Sequence, residues 1–222
     1  MLKAVLFDMD GTVFDTERML YWGWEQLVAS GDMPKETLTL FFDLCGRNRE
    51  EGKKLFRERF GADFPIEEMY AKRTLLINER LEREGMPLKP YVPQIFQDLQ
   101  SRGLRLALVT GTSRASVEAH MRRSGFGKYF EHIVSGDRVE HSKPAPDIFL
   151  LAAREMGLLA EECLVVEDSF NGVRAGYAAG MRVVMVPDIL QPNEEIAGKA
   201  YRVCQTLESL PAITRELILK NT

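Results

Sequence analysis

At about 150 residues per domain, a chain of 222 residues holds one domain with a large insertion or two small ones. Apolar residues make up 45% and charged residues 28%, an ordinary globular composition that folds without disulfides or a structural metal. Lys plus Arg is 29 against 33 Asp plus Glu, a net charge of -4; this lacks the basic excess of a nucleic-acid binder and leaves small anionic substrates open.

Cys45, Cys163 and Cys204 are far apart and form no CxxC, so they read as buried thiols of a reducing compartment. Residues 3–7 (KAVLF) form a short apolar run stopped by Asp8, which predicts a buried strand and is too short for a signal-peptide core. No stretch approaches the ~20 apolar residues of a membrane span. The default expectation is a cytoplasmic monomer.

Residues 15–88 carry helical patterning without a convincing strand. Met19, Leu20, Leu27 and Val28 recur at helical spacing, as do Leu38, Phe41, Phe42 and Cys45; Glu67–Glu84 follows and stops at Gly85. Met86–Pro90 reads as a linker. The predicted organisation is therefore a core of 1–14 and 89–222 interrupted by a helical insertion at 15–88, hinged near Phe14–Thr16 and Met86–Pro90.

Beyond the linker, helix and strand alternate. Helices are predicted over Pro93–Arg102, Ser113–Ser124 and Asp147–Met156, each followed by Gly, and another runs through Val173 and Ala178. Strands are predicted at Leu104–Val109, Ile133-Val134, Cys163–Val166 and Arg182–Val186. Their near-continuous apolarity implies burial on both faces, and repeated strand–helix–strand units imply a three-layer α/β sandwich with a parallel sheet.

In such a sheet, ligands bind beyond the carboxyl ends of the strands. Asp8-Met9-Asp10-Gly11-Thr12 follows the first strand, and Thr110-Gly111-Thr112-Ser113 the second. Lys143-Pro144 follows the third after a loop, and Glu167-Asp168-Ser169 the fourth. Singly, each has an ordinary reading: an Asp-x-Asp turn, a helix cap at Thr110 or Ser113, a solvated Lys143, an N-cap at Asp168 or Ser169. Together they place four carboxylates, a hydroxyl and an ammonium on one rim. Clustered carboxylates repel by several kcal/mol per close pair at an effective dielectric of about 20, so such a rim calls for a cation, and hard oxygen ligands suit Mg²⁺.

The order DxDGT, strand ending in Thr, Lys-Pro, strand ending in Glu-Asp resembles the haloacid dehalogenase-like phosphatase superfamily, over the whole chain. FDMDGTVFDTE, HSKPAPDIF and VVEDSFNGVRAGYAAGM are similar to the branch holding β-phosphoglucomutase and the pseudouridine-phosphate and sugar-phosphate phosphatases. The resemblance implies a Rossmann-like core with a type-one helical cap. It implies Asp8 as nucleophile, Asp10 as general acid and base, and Thr110 and Lys143 as partners of the phosphoryl group. Asp168, Asp8 and the main-chain carbonyl of Asp10 would hold Mg²⁺, with Glu167 a ligand or its neighbour. Gly11, Gly111 and Thr112 are the substrate-binding candidates of the core, and the helix starting near Ser113 would add main-chain donors. Within Gly46-Arg47-Asn48-Arg49-Glu50-Glu51, Arg49 resembles the arginine that a cap presents to substrate, with Arg47 the alternative. Trp22, Trp24, Phe41 and Phe42 read as core of the insertion; His120, His132 and His141 show no ligand spacing and read as surface residues.

One departure bears on the activity. The mutases carry a His just past the first hinge, and Glu17-Arg18-Met19-Leu20-Tyr21 contains none. The expected function is thus a Mg²⁺-dependent phosphatase acting on a small phosphomonoester, a sugar phosphate or nucleoside monophosphate, through an aspartyl-phosphate. A phosphosugar mutase is the alternative. A phospho-acceptor receiver domain fits poorly, because receivers have adjacent acidic residues and an acceptor Asp on a later strand. A non-catalytic binding protein fits poorly too, because no expected catalytic position is missing. The implied partner is a small phosphorylated metabolite, not nucleic acid or membrane.

Overall fold

A computed structural model describes residues 1–45 and 49–219. The chain divides into two units, Met1–Asp15 with Leu88–Thr222 and Thr16–Pro87. The first unit opens with β1 (Ala4–Phe7), every residue of which is buried, as a strand covered on both faces requires.

The second unit is helical: α1 (Thr16–Ala29), α2 (Thr37–Leu44), α3 (Arg49–Phe60) and α4 (Ile66–Glu84). Its core is aromatic, with the Trp24 ring 5.1 Å from Phe56 and 5.3 Å from Tyr70. Gly23 lets α1 approach α4 closely, since a Cβ there would stand 2.6 Å from Cγ of Arg73. Gly85, at φ +79°, ends α4 and donates its N–H to the Leu81 carbonyl. Trp24 and Phe41 are buried as expected, whereas Phe42 is half exposed and Trp22 only partly covered. The sequence reading draws no separate helix at α3, because only Gly52 and Phe56 of its twelve residues are buried.

The first unit then continues through α5 (Val92–Ser101), β2 (Arg105–Val109), α6 (Arg114–Ser124), β3 (His132–Val134), α7 (Asp147–Glu155), β4 (Cys163–Glu167), α8 (Phe170–Ala178), β5 (Arg182–Met185), α9 (Glu194–Lys199), β6 (Arg202–Val203) and α10 (Leu210–Leu219). Among the described residues, the strands form one sheet in the order β3-β2-β1-β4-β5-β6, with every pairing parallel. This is a Rossmann-like arrangement. One face carries Val109, Val165, Phe149 and Val173; on the other, the Phe96 ring lies 4.9 Å from that of Phe7. Among the described residues no helix is long and apolar enough to cross a membrane.

Register makes the rim. Phe7 is level with Leu108 and with Val166, so β1, β2 and β4 end together. Asp8, Thr110 and Glu167 therefore emerge at one edge, tied down by Asp8 N–H to Val166 O (3.0 Å), Thr110 N–H to Val134 O (3.0 Å) and Val186 N–H to Glu167 O (2.7 Å).

The connectors at the boundary of the first unit lie side by side. Phe14 pairs antiparallel with Leu88, and Lys89 N–H donates to Val13 O at 2.9 Å. The Lys89 ammonium lies 2.7 Å from the buried Asp188 carboxylate and 3.6 Å from that of Asp15. At α6, the expected Ser113 cap is not made: its hydroxyl bonds no helix N–H, and Asp137 Oδ2 instead accepts the Arg114 N–H at 3.1 Å. At α8 the cap is made, with Ser169 Oγ accepting the Gly172 N–H at 3.0 Å.

Candidate active site

The site is built around a buried ammonium. Lys143 Nζ donates to Asp8 Oδ1 (2.5 Å), to Glu167 Oε1 (2.7 Å) and to the Val109 carbonyl (3.1 Å), and lies 4.9 Å from the centre of the Phe149 ring. Burial works to lower the Lys143 pKa, but Asp8 and Glu167 outweigh it and hold the group above the ordinary lysine value. Burial pushes the Asp8 carboxyl well up; Lys143 pulls it down, and the charges of Glu167 and Asp10 add to the rise.

Glu167 is fully buried and fully engaged. Its Oε2 accepts the Asp168 N–H (3.0 Å), the Ser169 N–H (3.0 Å) and the Ser169 hydroxyl (2.9 Å), while Oε1 faces Lys143. Gly172 makes this possible: a Cβ at that position on α8 would overlap the Glu167 carboxylate. Asp168 is held from the other side, accepting from the Thr12 hydroxyl at 3.2 Å. Gly11, at φ +78°, turns the chain there, and a Cβ on it would overlap the Asp168 carboxylate.

Asp8, Glu167 and Asp168 each bring a carboxylate oxygen within 4.8 Å of the others. Three carboxylates against one ammonium, all hard oxygen donors, form a set that could hold a divalent cation of the Mg²⁺ type. The Asp10 carboxylate is not in that group; its Oδ2 accepts from the Thr112 hydroxyl at 2.7 Å. Thr110 is buried, and its Oγ1 accepts the Thr112 N–H at 3.1 Å. Gly136 braces the Thr110–Thr112 loop: its N–H donates to Thr112 O at 3.0 Å, and any Cβ on it would overlap the Gly111 carbonyl. Asp8, Gly11, Thr110, Lys143, Glu167 and Asp168 thus converge, with Asp10, Gly111 and Thr112 beside them.

The arginine candidates belong to the helical unit. Arg47 lies outside the described residues. The Arg49 guanidinium is 5.0 Å from the centre of the Tyr70 ring; that of Arg73 is 4.8 Å from the same ring and 4.4 Å from Trp24. These groups line a cavity of about 240 Å³ with Glu17 and Phe41. Burial lowers the Arg73 pKa to about 10.

The histidine expectation needs correction at one position. His141 is exposed beside Asp147, and His132 lies between Glu131 and Glu155. His120 is only partly exposed: its Nδ1 is buried and its ring packs edge-on against Phe14, 6.1 Å centre to centre. Sequence reasoning also missed Thr12 and Gly172 as site residues. A glycine inside a helix costs about 1 kcal/mol relative to alanine, so Gly172, two residues into α8, was itself a sign of close approach.

Known proteins resemble this chain over most of its length. Protein CbbY of Cereibacter sphaeroides is 31% identical over 217 residues, covering 89% of this chain and 90% of its own. Fructose-1-phosphate phosphatase YqaB of Escherichia coli is 32% identical over 184 residues, 82% of this chain and 95% of its own. The crystal structure of CbbY from Rhodobacter sphaeroides in complex with phosphate superposes with a TM-score of 0.74 at 31% identity, over 95% of this chain and 96% of that one. The sequence model of one family, described as haloacid dehalogenase-like hydrolase, matches residues 2–180, and the chain belongs to that family.

Proposed function

We propose that the protein is a Mg²⁺-dependent phosphatase that hydrolyses a small phosphomonoester, of the sugar-phosphate or nucleoside-monophosphate class, through an aspartyl-phosphate on Asp8. The observation that carries this reading is the buried Asp8 carboxylate fixed at 2.5 Å by Lys143, itself anchored by Glu167. The relatives support the substrate class, since one is named for fructose-1-phosphate and the structure of another holds phosphate.

Asp8 attacks phosphorus, forming an aspartyl–phosphorus bond as the ester oxygen leaves. Asp10 gives its proton to that oxygen, so a neutral alcohol departs. Asp10 then takes a proton from the water that attacks phosphorus, which releases inorganic phosphate and restores the Asp8 carboxylate. Thr110 and Lys143 hold phosphoryl oxygens, and Gly11, Gly111 and Thr112 let the chain approach them. Asp8, Asp168 and the Asp10 main-chain carbonyl would hold Mg²⁺, with Glu167 as ligand or neighbour. When bound, the ion supplies positive charge that offsets repulsion between an anionic nucleophile and an anionic ester. The helical unit serves as a substrate-selecting cap, with Arg49 as its contact. The hinge stretch Glu17–Tyr21 has no His, which favours water over a second sugar as acceptor. We place the enzyme in the cytoplasm as a monomer.

Phosphate release from a panel of sugar phosphates, nucleoside monophosphates, pseudouridine phosphate and phosphoglycolate tests the reading, with Asp8→Asn as control. At least one ester should turn over, and Asp8→Asn should abolish it while leaving the fold intact. Near-normal turnover by that variant would overturn the mechanism; a bisphosphorylated sugar formed during turnover would shift the assignment to the mutase.

A further inference from the structure

The Asp10 carboxylate has more neighbours than the rim motifs suggest. Asp10 and Phe14 are bridge partners, and the Gly11 N–H donates to Phe14 O at 2.9 Å, so the Phe14 side of the turn is the Asp10 side. His120, on α6, lays its ring edge-on against Phe14 at 65°. The loop leading into α6 supplies Thr112, whose hydroxyl holds Asp10 Oδ2. Thr112 thus holds the Asp10 carboxylate from the loop before α6, while His120, further along α6, packs on Phe14, the bridge partner of Asp10, near enough for the Asp10 charge to act on it. The burial around His120 makes it less basic; the charge of Asp10 works against that and Arg123 adds to it.

His120 Nδ1 is buried without a hydrogen-bond partner. An unsatisfied buried polar atom destabilises the state that holds it. That cost is offset if the atom gains a partner in a working state of the enzyme. The Thr112 hydroxyl already donates to Oδ2 of Asp10, so the proton that Asp10 exchanges with an alcohol or a water travels on Oδ1, whose direction must be fixed by something other than Thr112. We infer that His120 is a positioning residue for Asp10, its imidazole steadying the carboxyl group while Oδ1 passes a proton to the ester oxygen or takes one from water. This rests on the phosphatase reading, in which Asp10 is the acid and base.

The test compares an alkyl phosphate, whose leaving oxygen must be protonated, with para-nitrophenyl phosphate, whose leaving group departs as a stable anion. The readout is kcat/KM, which reports transfer to Asp8 and not the later hydrolysis. Acid catalysis contributes about 10²–10⁴-fold, so His120→Leu should lower kcat/KM for the alkyl ester by about tenfold and for the aryl ester by less than about twofold. His120→Asn, which keeps a polar atom at the Nδ1 position, should recover most of the loss. If the Leu variant does not fold, His120→Gln, with its amide at the Nε2 position, is read in its place. Equal losses with both esters, or none with the alkyl ester, would overturn the role of His120 alone. Failure of the unsubstituted protein to release phosphate from any ester would overturn the phosphatase reading and this role with it.

Discussion

Lys143→Met removes the ammonium on which the whole rim is strung and keeps its bulk. Lys143, Asp8 and Glu167 are only 10%, 10% and 1% exposed at their side chains. Two buried carboxylates would then face each other across the gap; at about 5 Å and an effective dielectric of about 20 they repel by roughly 3 kcal/mol. Removing one partner of a buried pair costs about 3–5 kcal/mol. In the unsubstituted protein the raised Lys143 pKa gives stability that is complete below the ordinary lysine value and is lost only as pH climbs through the raised one, so it is constant between about pH 5 and about pH 8. In the variant the Asp8 carboxyl, already pushed up by burial, loses the pull of Lys143 and rises further. A carboxyl raised in the folded state adds stability at low pH that disappears as pH rises through its folded value. The variant should therefore lose about 3–5 kcal/mol at about pH 8 and distinctly less at about pH 5, measured by urea unfolding. Phosphate release should fall at least about 10²–10³-fold, the range for one lost charge-stabilising donor. A stability loss below about 1 kcal/mol at the higher pH, the worth of an exposed pair, together with near-normal turnover, would refute the buried-cluster account.

Gly172→Ala should lower both Tm and phosphate release, although helix propensity alone would gain about 1 kcal/mol; a raised Tm would show that Glu167 does not need the space. Treatment with EDTA should abolish phosphate release and Mg²⁺ should restore it, and indifference to both would contradict the divalent-cation assignment of the three carboxylates. Arg49→Ala should lower kcat/KM for the true substrate while thermal melting changes little, since stacking on Tyr70 is worth only about 0.5–1 kcal/mol at a partly exposed site; unchanged kcat/KM would leave Arg49 as a solvated charge.

The rim was legible because parallel strands advertise themselves. KAVLF, LRLALV and CLVV are apolar runs that stop at chemistry-bearing residues, and a sheet of this kind puts those stops on one edge. Elements lacking such a signal were not read. β6 is two exposed residues on the sheet edge, held by pairing with β5 rather than by burial. His120 was misread because α6 has Val117 as its one fully buried residue and looks solvated all round; what covers His120 is Phe14, more than a hundred positions earlier. Thr12 and Asp168 meet across 156 positions, a pairing no local pattern announces. The Ser113 expectation failed for a related reason, since a carboxylate from after β3 took the helix N–H that a local hydroxyl was expected to take.

The bridge between Phe14 and Leu88 brings the chain's departure and its return within the spacing of one strand pair, about 5 Å. A polypeptide whose exit and re-entry points are neighbours can carry a guest of almost any size at that place, because the host sees only a short gap to be spanned. Residues 16–87 are therefore an exchangeable insertion: another guest, or a tight turn, in their place would leave the host sheet's strand order as it is. Diversification of such a protein would then proceed by changing the guest while the chemistry-bearing rim stays fixed.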